Sequence, residues 1–438
     1  MNKLILLIIF TIFISNASFS QQYCIPGRFD TTYAFSPLDI DTLGAITYGK
    51  NVNFLGDTTI LKYIIAYPKF SADPLSKRPF ILLIHGGGFI DGSMYDMKPV
   101  MLDFAMRGYV CASIDYRIGW NTGGNPLECT GDGYSLAQAI YRAMQDTKAA
   151  FRYFAAKANI YKIDTAYFFS GGISAGAVLS LMITYATQNN VLAQYPNLVT
   201  ELGPLNRATN RYRNQFGIKG IISSSGGLFD TAYIRRPNAV PTLMFHGTAD
   251  VNVPYGTGYA YSCLNYVRTE GSNEITKRFR TISKPFELDY VPGGGHENFY
   301  PLEYIQRRAI LFLKRTLCNQ PRQVIIENYT TLLDTSLRII TPVVTENEIA
   351  PEDYVLNQNY PNPFNPVTVI KYSIPKTELV KLTVYDILGK EIETLVNEVK
   401  NPGEYRVDFN ASSYTNGVYF YKLTTGNFSQ TKKMLFVK

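Results

Sequence analysis

The 438-residue sequence predicts an α/β fold, a mostly parallel sheet flanked by helices, followed by a small all-β sandwich. Three observations carry that expectation. Between residues 21 and 318, β-rich runs alternate with segments of helical period. After residue 353, short β-rich runs recur between turn signals. The composition is 46% hydrophobic and 18% charged, enough for a sizeable core, which excludes a disordered chain, a collagen-like fibre and a polytopic membrane protein.

The N-terminal residues 1–20 stand apart. Asn2-Lys3 precede an apolar run from Leu4 to Ile14, and small residues Ser18 and Ser20 follow in a polar flank. The run is too short to span a bilayer, so a cleaved secretory signal is expected, leaving an exported chain without a transmembrane segment.

Residues 21–318 are expected to form one unit. Its first strands are Leu61–Tyr67 and Phe80–Ile84, then a helix over Met97–Arg107 and a strand over Tyr109–Ile114. A helix follows from Ser135 to Asn159, where Leu136, Ile140, Met144, Ala149, Phe151 and Ala155 share a helical spacing. The strand Ala166–Phe169, a glycine-rich turn and the apolar helix Ala177–Tyr185 come next. Strands over Gly220–Ser223, Thr242–Phe245 and Phe286–Tyr290 and a helix over Tyr304–Leu317 complete the series. Residues 319–352 read as a linker, although Val324-Ile325-Ile326 and Arg338-Ile339-Ile340 are β-prone and suited to pairing with a neighbouring domain. Residues 353–438 give strands at Val367–Ile374, Val380–Tyr385, Tyr405–Phe409, Val418–Leu423 and Met434–Val437.

Five cysteines on an oxidising route allow at most two bridges. Cys111 lies in a β-like run and is expected as a buried free thiol, while Cys263 and Cys318, both in helix-like segments, are a candidate pair. Neither a C-x-x-C motif nor a His/Cys cluster is present, so no metal or other cofactor is expected. The net charge of +7 is too dilute for nucleic-acid binding. It resides in residues 21–318, with 29 basic against 22 acidic side chains, and is a reason to test anionic or glycan-bound substrates.

Four motifs fall at the C-terminal ends of the expected strands, where open α/β sheets place their ligands. Gly172-Ile173-Ser174-Ala175-Gly176 sits directly between a strand and a helix, a tight turn that lifts a serine oxygen above the sheet. His85-Gly86-Gly87-Gly88-Phe89 closes an earlier strand. Its glycines allow close backbone approach, so the N–H groups of Gly87 and Gly88, with that of Ala175, are candidate donors to a developing oxyanion. A P-loop is excluded because no Lys-Ser/Thr follows at the required spacing. His246-Gly247-Thr248-Ala249-Asp250 ends a third strand and supplies an acid, Asp250, with Asp230 as the rival. Gly293-Gly294-Gly295-His296 hangs an imidazole in a loop before the last helix. Of the three histidines, only His296 follows both the serine and the acid, while His85 and His246 are expected to pack locally.

The order Ser174, Asp250, His296 and the His-Gly-Gly-Gly loop resemble the esterase/lipase family of α/β-hydrolases, which includes carboxylesterases and acetyl-xylan and feruloyl esterase-like enzymes. Asp115-Tyr116-Arg117 and the stretch Arg142–Phe154 fit the same family, and the resemblance spans roughly residues 40–318. It implies a Ser174 nucleophile, a His296 base, an Asp250 orienter and an acyl-enzyme intermediate. The substrates it implies are acetylated or feruloylated polysaccharide or small acyl and aryl esters. A serine peptidase of the same fold and a non-catalytic surface-binding protein are the alternatives. Ile173 departs from the polar residue often found before the serine. Two insertions are candidates for substrate choice: Gly119–Tyr134, carrying Trp120 as an aromatic platform, and Gln188–Phe216, carrying Arg207, Arg211 and Arg213, as a lid.

In the tail, Asn359-Tyr360-Pro361-Asn362-Pro363-Phe364-Asn365-Pro366, Asp386-Ile387-Leu388-Gly389-Lys390 and Asn416-Gly417-Val418-Tyr419 occur in order. They resemble the C-terminal sorting domain of the bacterial type IX secretion system. That implies a partner in the secretion machinery and a place outside a Gram-negative-type cell or on its outer surface.

Overall fold

The computed structural model describes residues 23–296, 300–327, 338–340, 354–359, 361–400, 403–426 and 428–437. The expected signal at 1–20 lies outside them. The chain divides into two compact units, one ending at Ile340 and one beginning at Thr341.

The first unit contains β1 (Ile40–Val52), β2 (Thr58–Pro68), β3 (Arg78–Ile84), β4 (Val110–Ile114), β5 (Ile163–Ile173), β6 (Ile218–Ser224), β7 (Gly227–Leu228), β8 (Thr242–Gly247), β9 (Thr257–Tyr259), β10 (Arg268–Gly271), β11 (Phe286–Val291), β12 (Gln323–Glu327) and β13 (Arg338–Ile340). Its helices are α1 (Lys98–Met106), α2 (Gly133–Ala156), α3 (Ala158–Tyr161), α4 (Ala175–Tyr185), α5 (Gln188–Gln194), α6 (Leu198–Leu202), α7 (Ser272–Thr281) and α8 (Leu302–Leu317). Ten strands form one sheet in the order β1-β2-β4-β3-β5-β6-β8-β11-β12-β13. Pairing is parallel from β4 to β12 and antiparallel at β1/β2, β2/β4 and β12/β13.

The central strands read as unbroken apolar runs because both faces are covered. Along β3, Phe80, Leu82 and Ile84 pack with Met144 and Phe151 of α2 and Leu179 of α4. The alternate residues Ile81 and Leu83 pack with Phe104 of α1 and Ile310 and Leu313 of α8. The period of two along the strand thus feeds two separate cores. β12 and β13 extend this sheet beyond residue 318, so the segment expected as a linker contributes two strands to the first unit. β1, half-exposed along its length, carries too weak an apolar alternation to be anticipated.

Two disulfides close the unit, Cys24–Cys318 and Cys129–Cys263. The candidate Cys263–Cys318 pair is therefore not formed. Cys263 ends a short turn beside the Gly119–Tyr134 insertion rather than lying in a helix, and Cys318 caps α8 next to the N-terminal segment. Cys111 is free and buried, as expected.

The second unit contains β14 (Val355–Leu356), β15 (Val367–Ile374), β16 (Glu378–Tyr385), β17 (Glu391–Lys400), β18 (Gly403–Asn410), β19 (Gly417–Thr424) and β20 (Ser429–Phe436). They form two antiparallel sheets, β14-β15-β18 and β17-β16-β19-β20. Ile370, Tyr372 and Phe409 of one sheet share a core with Leu382, Val384 and Tyr421 of the other, a sandwich. β17 was not expected because it is a mostly exposed edge strand. No helix among the described residues is long and apolar enough to cross a membrane.

α8 is fixed to the sheet by charge as well as by packing. Glu287 and Asp289, two residues apart on β11, both bind Arg308, at 2.9 and 2.8 Å. All three side chains are nearly inaccessible to water. Arg308→Met removes the cation: Glu287 keeps its bonds to Arg315 and Arg322, but buried Asp289 loses its ion pair. The substitution should lower unfolding stability by about 3–5 kcal/mol, read from urea denaturation, whereas a loss under about 1 kcal/mol would show that the ion pairs do not hold the helix.

Candidate active site

The turn at Ser174 is dictated by contact between β5, α4 and β3. A Cβ at Gly172 would lie 2.4 Å from the carbonyl carbon of Gly176, and one at Gly176 would lie 2.0 Å from the Ile84 carbonyl oxygen. Only glycine permits that approach. Between them Ser174 adopts φ 53°, ψ −120°, a sparsely populated conformation. Its N–H donates to the Ser224 carbonyl at 2.8 Å, which holds the turn against β6.

Asp250 and His296 reach the serine from two neighbouring strand ends. The loop after β11 is laced to the turn after β8: Ala249 N–H donates to the Gly294 carbonyl, and Gly293 N–H to Thr248 Oγ1, each at 2.8 Å. Ser225 Oγ donates to the His296 carbonyl at 2.9 Å. The imidazole of His296 then stands between the two partners, Nε2 at 2.7 Å from Ser174 Oγ and Nδ1 at 2.8 Å from Asp250 Oδ2. The rival Asp230 is elsewhere, capping a short turn through the Ala232 N–H.

Asp250 is buried, and Oδ1 accepts from the N–H groups of Asn252 and Val253, each at 2.9 Å. Burial pushes its carboxyl up, but hydrogen bonds from His246 and His296 outweigh this and hold it well below the usual carboxylate range. It is therefore ionised at neutral pH. Its ionised form assigns the Nδ1 proton to His296, leaving Nε2 free to accept from the serine hydroxyl.

His246 packs locally, as expected, and also touches the acid. Its Nε2 lies 2.9 Å from the Val253 carbonyl and 3.2 Å from Asp250 Oδ2. Its Nδ1 lies 2.8 Å from Ser272 Oγ, so the ring is held at both nitrogens. The sequence signal for this second contact was the His-Gly-x-x-Asp spacing itself, which returns residue 250 beside residue 246 through a tight turn. His85 is stacked on Tyr116, and its Nδ1 lies 2.8 Å from the Gly86 carbonyl. Burial, opposed by that bond, lowers its pKa.

The loop from His85 to Ser93 is anchored by the segment after β4. Tyr116 Oη lies 3.0 and 3.1 Å from the carbonyls of His85 and Gly86, and Asp115 Oδ1 accepts the Met94 N–H at 2.8 Å. Arg117 is locked in a buried ion pair with Asp146. Trp120 is only 4% exposed, and its indole N–H donates to the Gly88 carbonyl at 3.1 Å. The ring packs edge-on against Tyr266 and near Tyr261. Trp120 is thus buried behind the glycine loop with its N–H engaged, and not the expected platform on a pocket rim. The Cys129–Cys263 bridge ties this insertion to the Tyr261 segment.

Beside Ser174 lies an apolar cavity of about 40 Å³, lined by Gly88, Leu136, Ile140, Val178, Phe229 and Tyr261. Tyr261 approaches so closely that a Cβ on Gly88 would meet its hydroxyl at 2.2 Å. This tyrosine was missed in the sequence because its segment has no regular period. No residue of Gln188–Phe216 lines the cavity, so the expected lid does not cover it. That insertion forms α5 and α6 and packs against α2, where Glu201 accepts from Tyr134 Oη and Gln138 Nε2.

Residues 66–227 match the BD-FAE family, and residues 358–438 match the secretion system C-terminal sorting domain. No curated protein matches the chain in sequence. Among solved structures, a propionate-bound thermophilic esterase, Est2 of Thermogutta terrifontis, is similar at 18% identity and a TM-score of 0.43, over 64% of this chain and 94% of that one. An inhibited esterase B from Lactobacillus rhamnosis is similar at 15% identity and a TM-score of 0.40, over 64% and 88%. The chain therefore carries an esterase-like α/β-hydrolase domain of the BD-FAE kind, followed by a type IX sorting domain that directs it out of the cell or to the cell surface.

Proposed function

We propose that this protein is a secreted serine esterase that releases short acyl groups, acetyl above all, from esterified polysaccharide or small alcohols and phenols. The observation that carries the reading is the unbroken hydrogen-bonded series from Asp250 through His296 to Ser174, set beside a small apolar cavity. His296 Nε2 takes the proton as Ser174 Oγ attacks the ester carbonyl. The imidazolium is stabilised by the ionised Asp250. N–H groups of Gly87, Gly88 and Ala175 receive the developing oxyanion, Ala175 at the first turn of α4, where amides have no intrahelical acceptor. His296 returns the proton to the leaving alcohol, and water then cleaves the acyl-enzyme by the same route.

The cavity sets the acyl preference. At about 40 Å³ it holds roughly three waters' worth of space, enough for an acetyl or propionyl chain. A feruloyl group on the acyl side would need displacement of Tyr261 or Phe229, so acetylated glycans fit better than feruloylated ones.

Hydrolysis of p-nitrophenyl acetate, butyrate and octanoate by the full chain tests this reading. Turnover should fall steeply from acetate to octanoate, and Ser174→Ala should lower kcat by a factor on the order of 10⁴ or more. Unchanged turnover in the variant would exclude Ser174 as nucleophile, and equal rates on acetate and octanoate would exclude the acyl assignment. Trp120→Phe keeps an aromatic ring but frees the Gly88 carbonyl. It should reduce kcat roughly tenfold with little change in KM, less than the 10²–10³ lost when an oxyanion donor is deleted. A change confined to KM would instead assign Trp120 to substrate binding.

A further inference from the structure

A second cavity, about 750 Å³, opens at the opposite end of α4. It is bounded by Ile183 and Thr184 at the end of that helix and by Ile218 and Lys219 at the start of β6. At 1.5 Å per residue, Ile183 lies roughly 14 Å along α4 from Ser174, so the two cavities are separate.

Its charge is one-sided. Lys148, Arg152, Arg207, Arg213 and Lys219 line it, and no carboxylate does. Arg207, Arg213 and Lys219 are exposed at the rim, whereas Arg152 is 5% exposed. Arg152 gives one terminal nitrogen to the Ala208 carbonyl at 3.0 Å, but its Nε is buried with no partner. A buried guanidinium N–H without an acceptor is costly unless a ligand supplies one. Burial and the neighbouring Arg152 push the Lys148 ammonium down to about 8, and burial and Arg213 push Arg152 down to about 10. Both effects would be relieved by an anion.

The other polar groups narrow the ligand. Asn206, Asn214 and Gln215 place neutral amides among the cations, suited to hydroxyl groups. Single-stranded nucleic acid calls for successive aromatic platforms, but Phe216 is the one ring lining the cavity and is already stacked on Phe151. The volume falls in the range that accommodates organic ligands of several hundred daltons rather than a lone ion.

We propose that this cavity binds an acidic oligosaccharide, its carboxylates paired with Arg152, Arg213 and Lys219 and its hydroxyls with the surrounding amides. The site would hold a uronate-bearing glycan at a distance from the reacting ester. It accounts for the cationic excess of the first unit, which the Ser174 site does not use.

Calorimetric titration of the full chain with trigalacturonate tests the proposal, with xylotriose, inorganic phosphate and a short oligothymidylate as the other arms. Trigalacturonate should bind, weaken as salt is raised, and bind at least about tenfold more weakly to Arg213→Gln/Lys219→Gln, while p-nitrophenyl acetate turnover by that variant is unchanged. Xylotriose and phosphate should bind far more weakly than the acidic trisaccharide. Failure of trigalacturonate to bind, or equal binding by the variant, would overturn the site. Equal binding of xylotriose or phosphate would overturn its acidic-glycan chemistry, and tighter binding of the oligothymidylate would reassign it to nucleic acid. Because aryl-ester turnover is read in parallel, loss of binding by a misfolded variant is distinguished from loss of the site.

Discussion

The close approach of α4 to the ends of β3 and β5 is the constraint on which the rest of the first unit depends. At Gly172 and Gly176 there is no room for a side chain, and Ser174 is held between them in a conformation that side chains rarely adopt. Such strain persists only when surrounding structure over-determines it. Here the surroundings are a strand buried on both faces and an apolar helix, with a hydrogen bond from the Ser174 amide across to β6. The Ser174 backbone is thereby fixed before any ligand arrives.

Around that fixed point the supporting contacts converge from distant parts of the chain. Asp250 accepts from two backbone amides as well as His296, and His246 packs against the same carboxylate. A buried carboxylate with this many partners is both ionised and unable to rotate. On the other side, Tyr116 and Trp120 hold the carbonyls of the glycine loop. The Cys129–Cys263 bridge then closes the Trp120 insertion onto Tyr261, which bounds the cavity beside Ser174.

Much of this was legible in the sequence where local chemistry is strong. Strand-turn-helix patterns located Ser174, and chain order with only three histidines singled out His296. The parallel core strands were readable because burial on both faces leaves continuous apolar runs. The features that escaped depend on contacts far apart in sequence. β1 and β17 are partly exposed edge strands with little alternation, and cysteine pairing is a matter of tertiary proximity. Trp120 looked available because an indole in a loop is usually at least partly wet; only the fold shows its N–H directed at Gly88. Arg207 and Arg213 of the Gln188–Phe216 insertion, the segment expected as a lid, instead line the cavity at the far end of α4.

We propose that Ser174 is made nucleophilic by His296 within this frame. Mass spectrometry of the full chain after exposure to a fluorophosphonate tests it most directly. One adduct per chain is expected, on the peptide containing Ser174, with labelling slowed by orders of magnitude in a folded His296→Ala variant. An adduct on another residue, or labelling of Ser174 that proceeds equally fast without His296, would contradict it.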